Sequence, residues 1–151
     1  MDKGILYGVG VGPGDPELLT IKALKVIKDC DVIALPVSGK ADKKQITAYQ
    51  IVEKIYPEID KKSILFLTMP MIKDEKTLRQ VHAKGAAQVC GELDKGENVA
   101  FRTLGDVSIY STFLYIQKLV EASGYETRVI PGVPSFCAAA AVLKTGLGEM
   151  S

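Results

Sequence analysis

The chain has no tryptophan, one histidine, three cysteines and almost no net charge: 19 lysines and arginines stand against 18 aspartates and glutamates, a formal balance of +1 over 151 residues. Without concentrated basic charge there is no electrostatic footprint for a phosphate backbone, so nucleic acid is not expected as a partner. Cys30, Cys90 and Cys137 are far apart and form no C-x-x-C pair. That argues against a disulfide framework and a zinc site, and no metal is expected. The longest apolar run, Phe136 to Leu143, is too short to cross a bilayer, and the N-terminus MDKGILYGVG lacks the basic and apolar regions of a secretory leader. No membrane is expected, and the reading is a protein of the reducing cytoplasm. What remains is ordinary: 47% hydrophobic and 25% charged residues, enough to bury the core of one domain.

Short apolar runs alternate with stretches of helical period. Strands are expected at Ile5 to Val9, Asp31 to Pro36, Ile64 to Thr68, Asn98 to Thr103 and Thr127 to Ile130. A first helix follows Thr20 as N-cap, with Ile21, Leu24 and Ile27 on its inner face. A second, Gln45 to Tyr56, places Ala48, Ile51, Val52, Ile55 and Tyr56 on one side before Pro57 ends it. A third spans Asp74 to Leu93, and a fourth, Ile109 to Ala122, turns Phe113, Ile116, Leu119 and Val120 inward. A fifth starts at Phe136, its alanines Ala138 to Ala141 expected to fill a crowded sheet face. Ser38 to Lys44 is polar and expected at the surface. Five strand–helix units in series predict an α/β fold: an open, mostly parallel five-stranded sheet with helices on both faces.

In such a sheet, ligands bind beyond the carboxyl ends of the strands. Three segments with unusual backbone demands lie there: Gly8 to Pro16, Thr103 to Thr112 and Pro131 to Ser135. The first has Gly8, Gly10, Gly12 and Gly14, but Pro13 and Asp15 occupy the positions that a G-x-G-x-x-G dinucleotide fingerprint needs as glycine. Tight turns explain the glycines; Asp15 reads equally as turn-maker or as a carboxylate facing a ligand. In the second, Asp106 either accepts hydrogen bonds from a ligand or, with Ser108, caps the helix that follows. His82, four residues after Leu78, is expected at a boundary or in solvent, with ligation of a substrate metal as the sharper alternative. Met69 and Met71 read as core packing at least as well as substrate contacts.

Taken together, GVGVGPGDPELLT (Gly8 to Thr20), LGDVSIYST (Leu104 to Thr112) and PGVPSF (Pro131 to Phe136) resemble the tetrapyrrole (corrin/porphyrin) methylase family. ADKKQITAYQIVEKIYP, LTMPMIKD and FRTLGDVSIYSTFLYI resemble its subgroup acting on C20 of precorrin-2 or cobalt-precorrin-2. The resemblance implies an S-adenosylmethionine-dependent C-methyltransferase of corrin biosynthesis, with a small tetrapyrrole as substrate and a homodimer as assembly. It implies that Pro13, Leu104, Gly105, Asp106, Ile109, Pro134 and Ser135 contact the methyl donor, that Gly12, Asp15 and Tyr110 face the tetrapyrrole, and that Asp15 takes the C20 proton. Valine at position 107 departs from the Gly-Asp-Pro of many relatives. The resemblance further implies that residues 1–135 form the first domain and 136–151 lead into a second. Residues 1–151 alone, holding half the cleft, are then expected to transfer methyl groups poorly.

Methyl transfer from a sulfonium asks mainly for alignment and exclusion of water, which suits a sequence with no Ser-His-Asp or Cys-His arrangement. Two other readings stay open at this point: a methylase of the same fold acting on another tetrapyrrole position, a protein or RNA, and a non-catalytic module for ligand binding or dimerisation.

Overall fold

The computed structural model describes residues 2–37, 47–69, 74–107, 112–144 and 146. Five strands form one parallel sheet: β1 (Leu6–Gly10), β2 (Val32–Val37), β3 (Ser63–Thr68), β4 (Val99–Thr103) and β5 (Thr127–Ile130), in the order β3-β2-β4-β1-β5. Five helices alternate with them: α1 (Ile21–Asp29), α2 (Thr47–Ile55), α3 (Glu75–Asp94), α4 (Phe113–Ala122) and α5 (Ser135–Leu143). The expected elements are all present, with ends displaced by a residue or two. The start of the fourth helix, 109–111, and the polar segment 38–44 lie outside the described residues.

From β1 the chain steps outward to β2 and β3, with α1 and α2 on one face. It returns through α3 to β4, which inserts between β2 and β1, and α4 then carries it past β1 to β5. Two cores follow. On one face Ala23 and Ile27 of α1 and Tyr49, Ile51 and Val52 of α2 cover Val9, Ile33, Leu35 and Ala100. On the other, Ala86, Val89 and Leu93 of α3 and Phe113, Ile116 and Val120 of α4 cover Leu6, Ala34, Leu67 and Phe101. The alternation along β4 is that of a strand covered on both faces. The amino-terminal edge is pinned by Asn98, whose Oδ1 accepts from Ile5 N–H (2.9 Å) and whose N–H donates to Asp31 Oδ2 (3.0 Å).

Several sequence expectations are corrected. Thr20 does cap α1, accepting from Ala23 N–H at 3.0 Å. Ile21, however, is 74% exposed, because the helix turns Ala23 and Ile27 to the sheet instead. Ile55 and Leu119, expected on inner faces, are 41% and 39% exposed, while Tyr49 is fully buried. Met69 packs against the α3–α4 core, as expected of a methionine; Met71 is outside the described residues. His82 is neither at a boundary nor in solvent: it is 7% exposed and stacks on Tyr115 with ring centroids 4.8 Å apart. Among the described residues no group of three histidines, cysteines or acids could hold a metal. The alanines of α5 fill no sheet face, since no residue of that helix is buried. All three cysteines are free thiols, and no helix among the described residues is long and apolar enough to cross a membrane.

Two predictions follow from this packing. Phe113 is fully buried, its ring tilted against Phe101 and lying where a side chain on Gly8 would be. Phe113→Ala is expected to cost about 3–5 kcal/mol in urea unfolding. Burial holds the His82 imidazole below its ordinary value of 6.5. The unfolded chain therefore binds this proton first as pH falls, and the contribution, full above 6.5, is lost between that value and the lower folded one. His82→Phe, which keeps the stack, is expected to flatten the fall in unfolding free energy between about pH 7.5 and 5, the range in which an ordinary imidazole titrates.

Candidate functional site

β4, β1 and β5 are neighbours and parallel, so the turns that follow them leave the same edge of the sheet side by side. The first turn runs through Gly12 to a short 3-10 turn at Pro16–Leu18; the second holds Leu104, Gly105 and Asp106; the third leads from Gly132 to Pro134 and into α5. All three meet. Gly105 N–H donates to the Gly12 carbonyl at 2.8 Å and Gly12 N–H to the Gly105 carbonyl at 3.2 Å, a single antiparallel bridge beyond the strands. Val11 N–H donates to the Thr103 carbonyl at 2.9 Å. Asp106 Oδ1 accepts from Gly132 N–H at 2.8 Å, strapping the second turn to the third.

The approach is close enough to exclude side chains. A Cβ on Gly132 would overlap the Gly105 carbonyl oxygen and lie 2.7 Å from the Gly10 carbonyl carbon; one on Gly10 would lie 2.8 Å from Gly132 N. Gly105 has φ of 66°, the left-handed conformation that side chains disfavour. Here the glycines serve backbone contact between three strands' ends rather than a helix N-terminus cradling a pyrophosphate.

The residues singled out from sequence take different places. Gly12 is buried with both backbone groups bonded to Gly105, so it builds the rim. Pro13 is half-buried beside it, and Leu104 exposes half of its side chain at the edge. Pro134 stands at the cap position of α5, with no side-chain cap, and Ser135 opens that helix at the surface. Asp15 is exposed, and its Oδ1 accepts from Glu17 N–H at 2.9 Å, opening the 3-10 turn. Its turn-making role is thus present. Asp106 bonds across to the third turn; the helix start that follows it lies outside the described residues. Ile109 and Tyr110, like Ser108, lie outside the described residues.

Two groups escaped the sequence reading. Arg102 and Thr103 end β4 with buried polar atoms that have no partner among the described residues: Nε and Nη2 of the arginine and Oγ1 of the threonine. The signal was available as two polar residues closing the otherwise apolar run Val99 to Thr103.

A family model described as Tetrapyrrole (Corrin/Porphyrin) Methylases matches residues 5–150. A Methanocaldococcus jannaschii protein named "probable cobalt-precorrin-2 C(20)-methyltransferase" is 44% identical over 144 residues, covering 95% of this chain and 59% of its own length. The cobalt-precorrin-2 C(20)-methyltransferase of Salmonella typhimurium is 30% identical, covering 96% and 59%. The chain thus spans about three-fifths of the length of these relatives. A cobalamin-synthesis-related protein of Corynebacterium diphtheriae superposes with a TM-score of 0.76 at 23% identity, over 99% of this chain and 61% of that one. A Thermus thermophilus uroporphyrin-III C-methyl transferase, solved with S-adenosylhomocysteine, gives 0.64 at 20%, over 91% and 48%.

The meeting of the turns predicts the effect of a single methyl group. Gly132→Ala is expected to cost roughly 1–3 kcal/mol by overpacking. Gly91→Ala, on an open helix surface with nothing within 4 Å, is expected to gain about 0.5–1 kcal/mol. Urea unfolding of both separates the effect of close approach from that of losing glycine.

Proposed function

Because the chain belongs to the tetrapyrrole (corrin/porphyrin) methylases, we propose that its rim binds S-adenosylmethionine and that the whole protein methylates C20 of precorrin-2 or cobalt-precorrin-2 in corrin biosynthesis. The observation that carries this reading is the junction of Gly12, Gly105 and Gly132, which lines up three turns on one edge of the sheet. The relatives' names supply the substrate class.

The residues present fit such a donor. The uncapped start of α5 at Pro134 and Ser135 offers backbone amides to polar edges of the nucleoside or to a carboxylate, and exposed Leu104 offers an apolar edge to the adenine. Pro13, Gly105, Asp106 and Ile109 would complete the contacts. Asp106 would act by holding the third turn in place, since one of its oxygens is committed to Gly132. S-Adenosylmethionine supplies a methyl group already activated on a sulfonium. This chain's part is to orient and to exclude water. Gly12 and Tyr110 would shape the tetrapyrrole's side of the rim. Asp15, its carboxylate steadied by Glu17 N–H, would accept the C20 proton.

α5 presents Phe136, Val142 and Leu143 to solvent. With the chain spanning 59% of its relatives' length, we read residues 1–135 as a first domain and α5 as the connector to a second one that closes the cleft. The protein then works in the cytoplasm as a homodimer, by family resemblance.

Calorimetry with S-adenosylhomocysteine tests the reading, followed by mass spectrometry of precorrin-2 incubated with methyl-labelled donor. The protein carried to its relatives' length is expected to bind and to add one label; residues 1–151 alone are expected to do both poorly. Asp15→Asn should lower turnover while leaving affinity for S-adenosylhomocysteine unchanged. Absence of binding by the longer protein ends the proposal.

A further inference from the structure

Arg102 is the penultimate residue of β4 and is fully buried, on the face covered by α1 and α2. Its Nη1 donates to the Ala48 carbonyl in the first turn of α2 at 3.3 Å, and its guanidinium lies 5.4 Å from the centroid of the Tyr49 ring. Nε and Nη2 have no partner. The acids of this cluster do not supply one. Asp60 accepts the Tyr49 hydroxyl, and Glu53, one turn along α2, keeps a buried Oε2 that is itself unpaired.

An unpaired buried guanidinium is costly, and natural chains keep one where it meets an anion. Desolvation pushes the Arg102 pKa down to about 9, and no carboxylate offsets that effect. The site lies one residue, roughly 3.3 Å of strand, below the Thr103–Asp106 turn of the rim. The free Nε and Nη2 edge is the side of a guanidinium that takes a carboxylate through two parallel bonds.

We propose that Arg102 forms a carboxylate-binding subsite beneath the rim, receiving a carboxylate of the bound ligands. The proposal rests on the function inferred above, which offers two sources of this group: the acid side chains of a tetrapyrrole and the methionyl end of the methyl donor.

Arg102→Met removes the donors while keeping the volume apolar. Titrations of the protein carried to its relatives' length, wild type and variant, with uroporphyrin (an octacarboxylate), S-adenosylhomocysteine and 5′-methylthioadenosine (which lacks the carboxylate) separate the sources. R102M is expected to bind one carboxylate-bearing ligand about 10- to 100-fold more weakly, the scale of a bidentate charged pair, and to bind 5′-methylthioadenosine as wild type does. Loss confined to uroporphyrin assigns the subsite to the substrate; loss confined to S-adenosylhomocysteine assigns it to the donor. Without ligand the variant is expected to melt at or above the wild-type temperature, since a buried unpaired charge is gone. Wild-type affinity of R102M for all three ligands overturns the subsite alone; wild type that binds none overturns it together with the proposed function. Should R102M not fold, Arg102→Lys takes its place. Its single-point charge is expected to give a smaller loss of the same kind, and unchanged affinity overturns the proposal equally.

Discussion

Three stretches of backbone press against one another beyond the carboxyl ends of β1, β4 and β5, with no side chain between Gly10, Gly105 and Gly132. Everything proposed for this molecule depends on that contact. The sheet order makes it possible, because β4, β1 and β5 are adjacent, and hydrogen as the only substituent makes it close. The Gly12–Gly105 bridge and the Asp106–Gly132 bond then hold the turns in one alignment. A methyl-transfer site draws its rate from alignment more than from acid–base chemistry. A rim of bonded backbone suits that task better than mobile side chains would.

The polar groups near this rim divide by what they touch. Asp106, which from sequence reads as a ligand contact or a helix cap, spans to Gly132 through Oδ1 and keeps two turns together. Asp15 is steadied by Glu17 N–H and faces outward. Arg102 and Thr103 end the central strand with unpaired polar atoms on its opposite faces. Buried atoms of that kind are uncommon in a finished core, and these two residues close the strand that leads into the rim's second turn.

Where periodicity misled, competition among neighbours was the cause. Ile21 fits a helical apolar stripe, but α1 is short and Ala23 and Ile27 suffice to cover its part of the sheet. His82 fits a polar helix face, but α4 lies alongside α3 and brings Tyr115 over the imidazole. The alanines of α5 look like filler for a tight core, while the helix in fact leaves its apolar side chains in solvent. Composition indicates what a segment tolerates; it does not say which surface will be there to meet it.

By itself the sequence determined the alternation of strands and helices, the parallel sheet and the three glycine- and proline-bearing turns. These follow from local periodicity, capping and backbone freedom, all of which act over a few residues. Only the tertiary structure decided that β4 inserts between β2 and β1, that the turns consequently touch, that Asp106 serves the third turn and that two nitrogens of Arg102 go without a partner among the described residues. Each of these depends on contacts between segments tens of residues apart, and no local pattern carries that information.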